Sequence, residues 1–288
     1  MLPAESFASG PTRGRLLVGA DDGEVSRLLD VDLARGCLTV IAELGEIVRR
    51  AVLSPDATSV FEFRVGRDTR EDLGVWRRDL ADPAEAQLLL GPPAADPRFG
   101  PTWTTRLVPD PAGGRLAVES CGAAACRHRI VDLATGGVVI HADPHAGALL
   151  GLGATSVYAR AACPGLPCPI LALDPDQDTR VVIAAAGLAA LSTGPDGERL
   201  VAEAADETQV LLIDPLDGRV IASIPVEPGR RVVAGADQAA SGLELPPGPT
   251  DAWTAAVLAP DGRIDAGARI QLIDLRRAAA IDLEEVLP

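Results

Sequence analysis

Five cysteines offer the clearest chemistry in this 288-residue sequence, and four of them form two equally spaced pairs. Cys121 and Cys126 enclose four residues, as do Cys163 and Cys168. We favour two hairpin disulfides, which would imply an oxidising compartment. The alternatives are one metal site with four thiolate ligands and reduced cysteines that take part in neither. Structural zinc usually has about two to four residues between paired ligands, so this spacing lies at the upper edge.

The remaining cysteine, Cys37, is expected to be a small buried apolar residue. Two histidines, His141 and His145, flank Asp143 and together would supply two imidazoles and a carboxylate for metal binding or acid–base work. Their spacing matches no defined site, so a solvated loop is the simpler interpretation. The third histidine, His128, falls within a predicted strand and is expected to pack there.

Arginines begin several strands that we predict to be the innermost of their sheets. Such strand starts would gather a basic ring for an anionic ligand or an acidic peptide. The alternative is pairing with loop carboxylates such as Asp96 or Glu227. We predict no catalytic residue and no metal ligand. The candidate ligand-binding residues are Arg50, Arg106, Arg231, His141 and His145, with Arg49 and Arg230 beside two of them.

Motifs of known catalytic sites are missing from the sequence: it has no Gly-x-Ser-x-Gly elbow, phosphate loop, dinucleotide fingerprint or calcium loop. We therefore expect no cofactor. Only three Trp, one Tyr and four Phe are present, so a stacking platform for bases or glycans is hard to build.

The elements that would position these residues repeat six times along the chain. Six apolar strands each run into an aspartate and a turn, and the aspartates are 40 to 60 residues apart: Asp32, Asp79, Asp132, Asp174, Asp214 and Asp274. Repeats of this length with several short strands are typical of a β-propeller. We predict an all-β, six-bladed propeller of four-stranded antiparallel blades, in which each aspartate ends the third strand.

The third repeat shows the pattern well, with strands at 105–108, 115–120, 127–132 and 138–140 and turns rich in Pro, Asp and Gly. The first and last repeats are less regular, and the last contains a Pro/Gly-rich insert at 237–251. The prediction is one domain over 1–288, with blades at about 3–45, 46–92, 102–143, 147–185, 186–226 and 229–287.

The Pro-Asp turns at Pro55-Asp56, Pro109-Asp110 and Pro195-Asp196-Gly197, each followed by strands ending in Asp, resemble the repeat of TolB-type six-bladed propellers. The resemblance covers most of the chain, but its motifs specify turns and transfer no catalytic residue. It implies an extracytoplasmic interaction module of a bacterium.

The amino-acid composition limits the classes of binding partner that the protein can have. A net charge of −15 and a pI near 4.6 argue against nucleic acid and anionic membranes, which require a basic surface. All 26 basic residues are Arg, which fits a GC-rich genome. The sequence contains no apolar run of about 18 residues, so it predicts no transmembrane segment. The first residues do not have the features of a signal peptide. Because the expected disulfides imply export, we expect that the signal sequence is missing from this sequence.

The sequence therefore predicts an extracytoplasmic, non-catalytic propeller of the bacterial cell envelope that binds a protein or a small anionic ligand. We expect the binding face to carry loops 91–101 and 141–147 and the cysteine hairpins. The alternative is a propeller hydrolase or lyase with a site at the channel mouth. A pocket with His141 or His145 near two acidic groups would favour the enzyme, and an apolar or Arg-lined mouth without His would favour binding.

Overall fold

The computed structural model describes most of the chain between residues 4 and 282. The described residues are 4–9, 14–21, 26–32, 37–44, 46–54, 56, 58–95, 97, 102–110, 112–122, 125–141, 143–174, 179–194, 197–206, 208–225, 253–258, 269–274 and 279–282. Their regular structure consists of β-strands alone, which confirms the all-β prediction. A search of these residues finds no apolar helix with the length needed to cross a membrane.

The chain divides into two compact units, residues 1–144 and 145–288. The first unit contains three antiparallel sheets of four strands, each in chain order, as predicted for propeller blades. The first sheet has strands β1 (Ala4–Ser9), β2 (Gly14–Asp21), β3 (Ser26–Asp32) and β4 (Cys37–Leu44). The second has β5 (Ile47–Leu53), β6 (Ser59–Val65), β7 (Asp72–Asp79) and β8 (Ala86–Leu90). The third has β9 (Trp103–Pro109), β10 (Arg115–Cys121), β11 (Cys126–Asp132) and β12 (Val138–His141).

The second unit contains one seven-stranded antiparallel sheet and one three-stranded sheet, both in chain order. The seven strands are β13 (Ala146–Leu152), β14 (Val157–Ala161), β15 (Cys168–Leu173), β16 (Arg180–Gly194), β17 (Gly197–Ala204), β18 (Gln209–Ile213) and β19 (Val220–Pro225). The last three strands are β20 (Trp253–Leu258), β21 (Arg269–Asp274) and β22 (Ala279–Asp282). The start of the last predicted blade at about 229 and the insert at 237–251 lie outside the described residues.

Strand β16 differs from the prediction, which ended one blade at about 185 and began the next at about 186. The structure forms one strand that pairs with β15 up to Ala186 and with β17 from Ala186 onwards. Between the two stretches the sequence is Ala184-Ala185-Ala186-Gly187, which has no Pro, Asp or Asn to start a turn. The chain therefore continues as one strand. Its pairing changes from β15 to β17, and the β16–β17 register shifts between Ala186 and Ala189.

Two of the repeated aspartates, Asp132 and Asp214, are turn residues, as predicted. Asp132 ends β11, and its carboxylate accepts hydrogen bonds from the backbone N–H groups of Ala134 at 3.0 Å and Thr135 at 2.7 Å. Gly136 completes this turn at φ 73°, a left-handed conformation that glycine adopts without strain. Asp214 repeats the arrangement after β18, where it accepts from Leu216 N at 3.0 Å and Gly218 has φ 73°.

Each unit has its own apolar core. In the first unit, buried side chains of the second and third sheets pack together, among them Phe61, Phe63, Val75, Leu116 and Val118. In the second unit the core lies along the seven-stranded sheet and includes Tyr158, Ile170, Leu200 and Ile213.

The opposite side of β6 is also buried, and it carries charge. Glu62 is completely buried and accepts hydrogen bonds from Arg64 Nε at 2.8 Å and Arg78 Nε at 2.6 Å. Arg78 also donates to the carbonyl oxygen of Pro83, and the Arg64 guanidinium lies 4.6 Å from the centre of the Trp76 ring. One carboxylate thus neutralises one of two buried cations, and a carbonyl and an aromatic face accommodate the remaining charge.

Candidate functional site

A cleft of about 600 Å³ in the first unit is lined by β5, β6, the β6–β7 turn and β9. We call it the arginine cleft. Its lining residues are Arg49, Arg50, Phe63, Val65, Arg70, Trp103, Thr104 and Thr105. The starts of two first strands, β5 and β9, and a turn between a second and a third strand meet here.

Arg49 and Arg50 are adjacent in sequence, yet both line the cleft. In a regular strand, successive side chains point to opposite faces. Here the pairing of β5 with β6 slips between Val48 and Arg50, because Val48 lies opposite Arg64 and Arg50 lies opposite Phe63. The extra residue, Arg49, forms a bulge that turns both guanidinium groups to one side.

A second bulge lies in β9 across the cleft. Arg106 lies opposite Glu119 and Thr104 lies opposite Ser120, so Thr105 is the extra residue. Thr104 Oγ1 donates to Asp72 at 3.1 Å and Thr105 Oγ1 donates to Glu119 at 2.5 Å. Both threonines therefore line the cleft with their hydroxyl groups held by carboxylates outside its lining.

Arg70 reaches the cleft from a strained turn. Its φ is 59°, a left-handed conformation that is uncommon for any residue with a Cβ atom. The turn holds this conformation through two backbone hydrogen bonds of 2.9 Å, from Arg70 N to Gly66 O and from Gly66 N to Glu71 O. Strain of this kind is often found at binding sites, where surrounding structure maintains it.

Trp103 completes the cleft with a large apolar surface that is 54 % exposed. It begins β9 and lies opposite Cys121 in the sheet. Among the described residues, none forms an ion pair with Arg49, Arg50 or Arg70. Three guanidinium groups and an indole face are a chemical match for a carboxylate or phosphate group attached to a ring.

Two further arginines on β11 fix the segment that follows β8. Arg129 donates to Gly91 O at 2.8 Å and to Ser120 Oγ at 3.3 Å, and Arg127 donates to Ala94 O at 3.0 Å. Burial lowers the pKa of Arg129 to about 10, so it remains charged at neutral pH. These arginines position backbone and are not part of the cleft lining.

The predicted site residues are only partly brought together. Arg50 lines the cleft, with Arg49 beside it. Arg106 is half-buried in β9, His141 ends β12, and exposed His145 directly precedes β13. Arg231, together with Arg230, Asp96 and Glu227, lies outside the described residues.

The sequence prediction missed Arg70 and Trp103. A short turn of Gly66-Arg67-Asp68-Thr69-Arg70 between two strands was the available signal for the first. The start of a predicted innermost strand was the signal for the second.

Both cysteine pairs lie at disulfide distance within their own hairpins, as favoured from the sequence. Cys121 lies directly opposite Cys126 at the end of the β10–β11 hairpin, and their Cα atoms are 4.0 Å apart. The Cα atoms of Cys163 and Cys168 are 6.4 Å apart in the connection between β14 and β15. Cys37 begins β4, and the predicted burial of its side chain lies outside what the structure describes.

No protein-family model matches the sequence, and no curated protein matches it. Solved structures do match the fold. An oligogalacturonate lyase in complex with manganese has a TM-score of 0.60 and 16 % identity, covering 93 % of this chain and 73 % of its own. An oligogalacturonate lyase from Vibrio parahaemolyticus has a TM-score of 0.62 and 14 % identity, covering 98 % and 78 %.

TolB from Acinetobacter baumannii has a TM-score of 0.51 and 16 % identity over 76 % of this chain, which spans 53 % of TolB. Identities this low carry information about the fold and not about activity. Together with the four-stranded antiparallel sheets, they show that the chain has a β-propeller fold.

Proposed function

We propose that the chain is a non-catalytic, six-bladed β-propeller that binds a carboxylate-bearing anionic ligand in the arginine cleft. The observation that carries the proposal is the convergence of Arg49, Arg50 and Arg70 beside the exposed indole of Trp103. In a protein with a net charge of −15, such a concentration of positive charge is a local exception. It would attract and orient an anion through charge-assisted hydrogen bonds.

The carboxylate of such a ligand matches the forked geometry of a guanidinium group. The sugar or peptide chain that carries the carboxylate would supply an apolar surface to cover Trp103. Two of the similar structures are oligogalacturonate lyases, and oligogalacturonate is a sugar chain that carries carboxylate groups. An acidic peptide shares the same carboxylate chemistry.

We propose a location outside the cytoplasm, in the bacterial cell envelope. Two disulfides support it, because they persist in oxidising compartments. The similarity of the fold to TolB is consistent with it.

The alternative is a lyase acting on an acidic oligosaccharide, and the two lyase structures favour it. General acid–base catalysis requires a group that titrates near the operating pH, and manganese prefers carboxylate or imidazole ligands. The described lining of the arginine cleft contains three guanidinium groups and neither of those ligand types. The cleft residues therefore fit a bound anion and do not fit a manganese ion.

Calorimetric titration with oligogalacturonate and with an oligo-aspartate peptide tests the proposal. Replacing both Arg49 and Arg50 by Gln should weaken binding of the favoured probe by at least about a hundredfold, because two charged hydrogen bonds of about 1.5–3 kcal/mol each are lost. Arg219→Gln is the control, since this exposed arginine pairs with Asp217 in the second unit. Binding should weaken as salt is added.

Equal binding of a neutral galactan, or an equal loss in the Arg219→Gln control, would reject the arginine cleft as an anion site. Formation of unsaturated uronate ends from oligogalacturonate would instead establish the lyase alternative. If that activity persists in the Arg49/Arg50 double variant, its site lies elsewhere in the protein.

A further inference from the structure

Four potential metal ligands share one face of the β10–β11 hairpin. Glu119 and Cys121 alternate on β10, and Cys126 and His128 alternate on β11, so each pair projects to one side of the sheet. The register places Glu119 opposite His128 and Cys121 opposite Cys126. The four side chains therefore form a rectangle across two strands.

Three of the four potential ligands, Glu119, Cys121 and Cys126, lie close enough to share one ion. A carboxylate oxygen of Glu119 and the sulfurs of Cys121 and Cys126 all lie within 4.8 Å of one another. His128 Nε2 lies 3.9 Å from Glu119 Oε2. In a tetrahedral zinc site the ligand atoms are about 3.5 Å apart, given metal–ligand bonds of about 2.0–2.3 Å. Once the two sulfurs are separate, side-chain movements that include a closer approach of His128 would reach this geometry.

The surroundings resemble those of a metal centre more than those of a simple hairpin staple. Glu119, Cys126 and His128 are buried, at 4 %, 8 % and 0 % exposure. The hydroxyl of Thr105 donates to Glu119 at 2.5 Å and lies 3.4 Å from Cys121 Sγ, which fixes the carboxylate beside the sulfurs. Hydrogen bonds that orient a ligand in this way commonly increase metal affinity.

The second cysteine pair provides a comparison inside the same chain. Cys163 and Cys168 have the same spacing and also form a hairpin disulfide. Over the part of the chain that the structure describes, the only group of three such ligands is the one at Glu119, Cys121 and Cys126. Cysteine spacing alone therefore does not create the arrangement, because among the described residues only the first pair has a carboxylate within 4.8 Å of both sulfurs.

We propose that the Cys121–Cys126 disulfide is the closed form of a site for a thiophilic divalent cation such as Zn²⁺. A dithiol reductant opens it: two electrons and two protons convert the disulfide to two thiols, and the reductant becomes a disulfide. The cation then displaces both thiol protons to solvent and binds the two thiolates and Glu119, with His128 as the fourth ligand. The site differs from the four-cysteine alternative of the sequence, since it needs no sulfur from the second pair.

Titration of the full-length chain with Co²⁺, before and after reduction by a dithiol, tests this inference. The reduced protein should bind one Co²⁺ with the charge-transfer absorption of cobalt–thiolate bonds, and the oxidised protein should show none. Replacing Cys163 and Cys168 by Ser should leave the absorption intact, and replacing Cys121 and Cys126 by Ser should abolish it. Glu119→Gln should weaken affinity by about tenfold to a hundredfold.

The inference fails if the absorption follows the second pair, if Glu119→Gln binds Co²⁺ as tightly as the parent, or if reduction unfolds the protein by circular dichroism. His128→Gln tests the fourth ligand, and a folded variant with an unchanged cobalt spectrum would remove His128 from the set. If that variant does not fold, the d–d band energies of the parent complex separate four-coordinate from higher-coordinate cobalt.

Discussion

Arg78 Nε donates a 2.6 Å hydrogen bond to Glu62 Oε1 at a depth where the two side chains are 3 % and 0 % exposed. Arg64 donates to the same carboxylate from the next position along β6 that faces this way. Glu62 is thus the anion between two buried cations.

Replacement of Glu62 by Ala should lower the free energy of unfolding by about 3–5 kcal/mol, because it leaves two guanidinium groups buried without their carboxylate. Urea denaturation measures the loss. The exposed residue Glu85 supplies the matched control, and Glu85→Ala should change stability by less than about 0.5 kcal/mol. Similar effects at both positions would mean that the buried cluster contributes little.

Arg70 should show opposite effects on stability and on binding. Its φ of 59° costs an L-residue about 1–2 kcal/mol, whereas Gly adopts this conformation freely and loses more entropy on folding. Arg70→Gly should therefore fold at least as stably as the parent and bind the anionic probe more weakly. Arg70→Ala keeps the backbone strain and should lose the same affinity without any gain in stability. Thermal denaturation and calorimetry separate the two effects, and parent-like affinity in both variants would exclude Arg70 from the site.

Two glycines with positive φ should differ in their tolerance of a methyl group. Gly74 and Gly113 have φ values of 85° and 77°. A Cβ atom at Gly113 meets nothing within 4 Å, whereas at Gly74 it overlaps the Leu90 carbonyl oxygen and lies 3.2 Å from the carbonyl carbon of Gly91. Gly113→Ala should cost about 1 kcal/mol, and Gly74→Ala about 1–3 kcal/mol beyond that. Equal losses in urea denaturation would show that β8 moves away at no cost.

The turn at Asp132 should weaken in acid. The hydrogen bond from the Thr135 backbone N–H, followed by that from the Thr135 hydroxyl, holds the pKa of Asp132 below its ordinary value of 3.8. A lowered pKa stabilises the folded state above pH 3.8, and this stabilisation disappears as the pH falls through the folded-state value. Between pH 7 and pH 3, Asp132→Asn should therefore lose less Tm than the parent does. An NMR titration midpoint at or above 3.8 for Asp132 would contradict the assignment.

Both disulfides should be visible by mass. Reduction should add two hydrogen atoms for each of the two pairs, and equal masses before and after would contradict the pairing. Replacing Cys163 and Cys168 by Ser should lower the free energy of unfolding by about 2 kcal/mol, the effect expected for so short a loop. Under reducing conditions the variant and the parent should have similar stability.

Much of the fold could be predicted because its signals are local. Asp132 sits in a turn for reasons contained within four residues, and the same chemistry recurs after Asp214. The alternation of Glu62 and Arg64 with Phe61 and Phe63 is typical of a strand with one solvent-facing side. Here both sides of β6 are covered, which depends on neighbouring sheets and not on β6 itself.

The arginine cleft was only partly predictable for a related reason. Arg50 was identified from its place at the start of a strand, whereas the contribution of Arg49 depends on a bulge that only the pairing of β5 with β6 reveals. Arg70 reaches the cleft because hydrogen bonds hold its backbone in a conformation that its residue type disfavours. Propensity rules point away from such a position, so they could not have indicated it.

The continuity of β16 has a consequence for self-association. Two separate four-stranded sheets would present four edges with unpaired backbone groups, and such edges can recruit strands from other molecules. By pairing with β15 and then with β17, β16 leaves the seven-stranded sheet with edges only at β13 and β19. An alanine-rich stretch from Ala184 to Ala190 has little side-chain bulk or charge to repel a passing strand. Its incorporation in the middle of the sheet protects the chain against aggregation where its sequence is least able to do so.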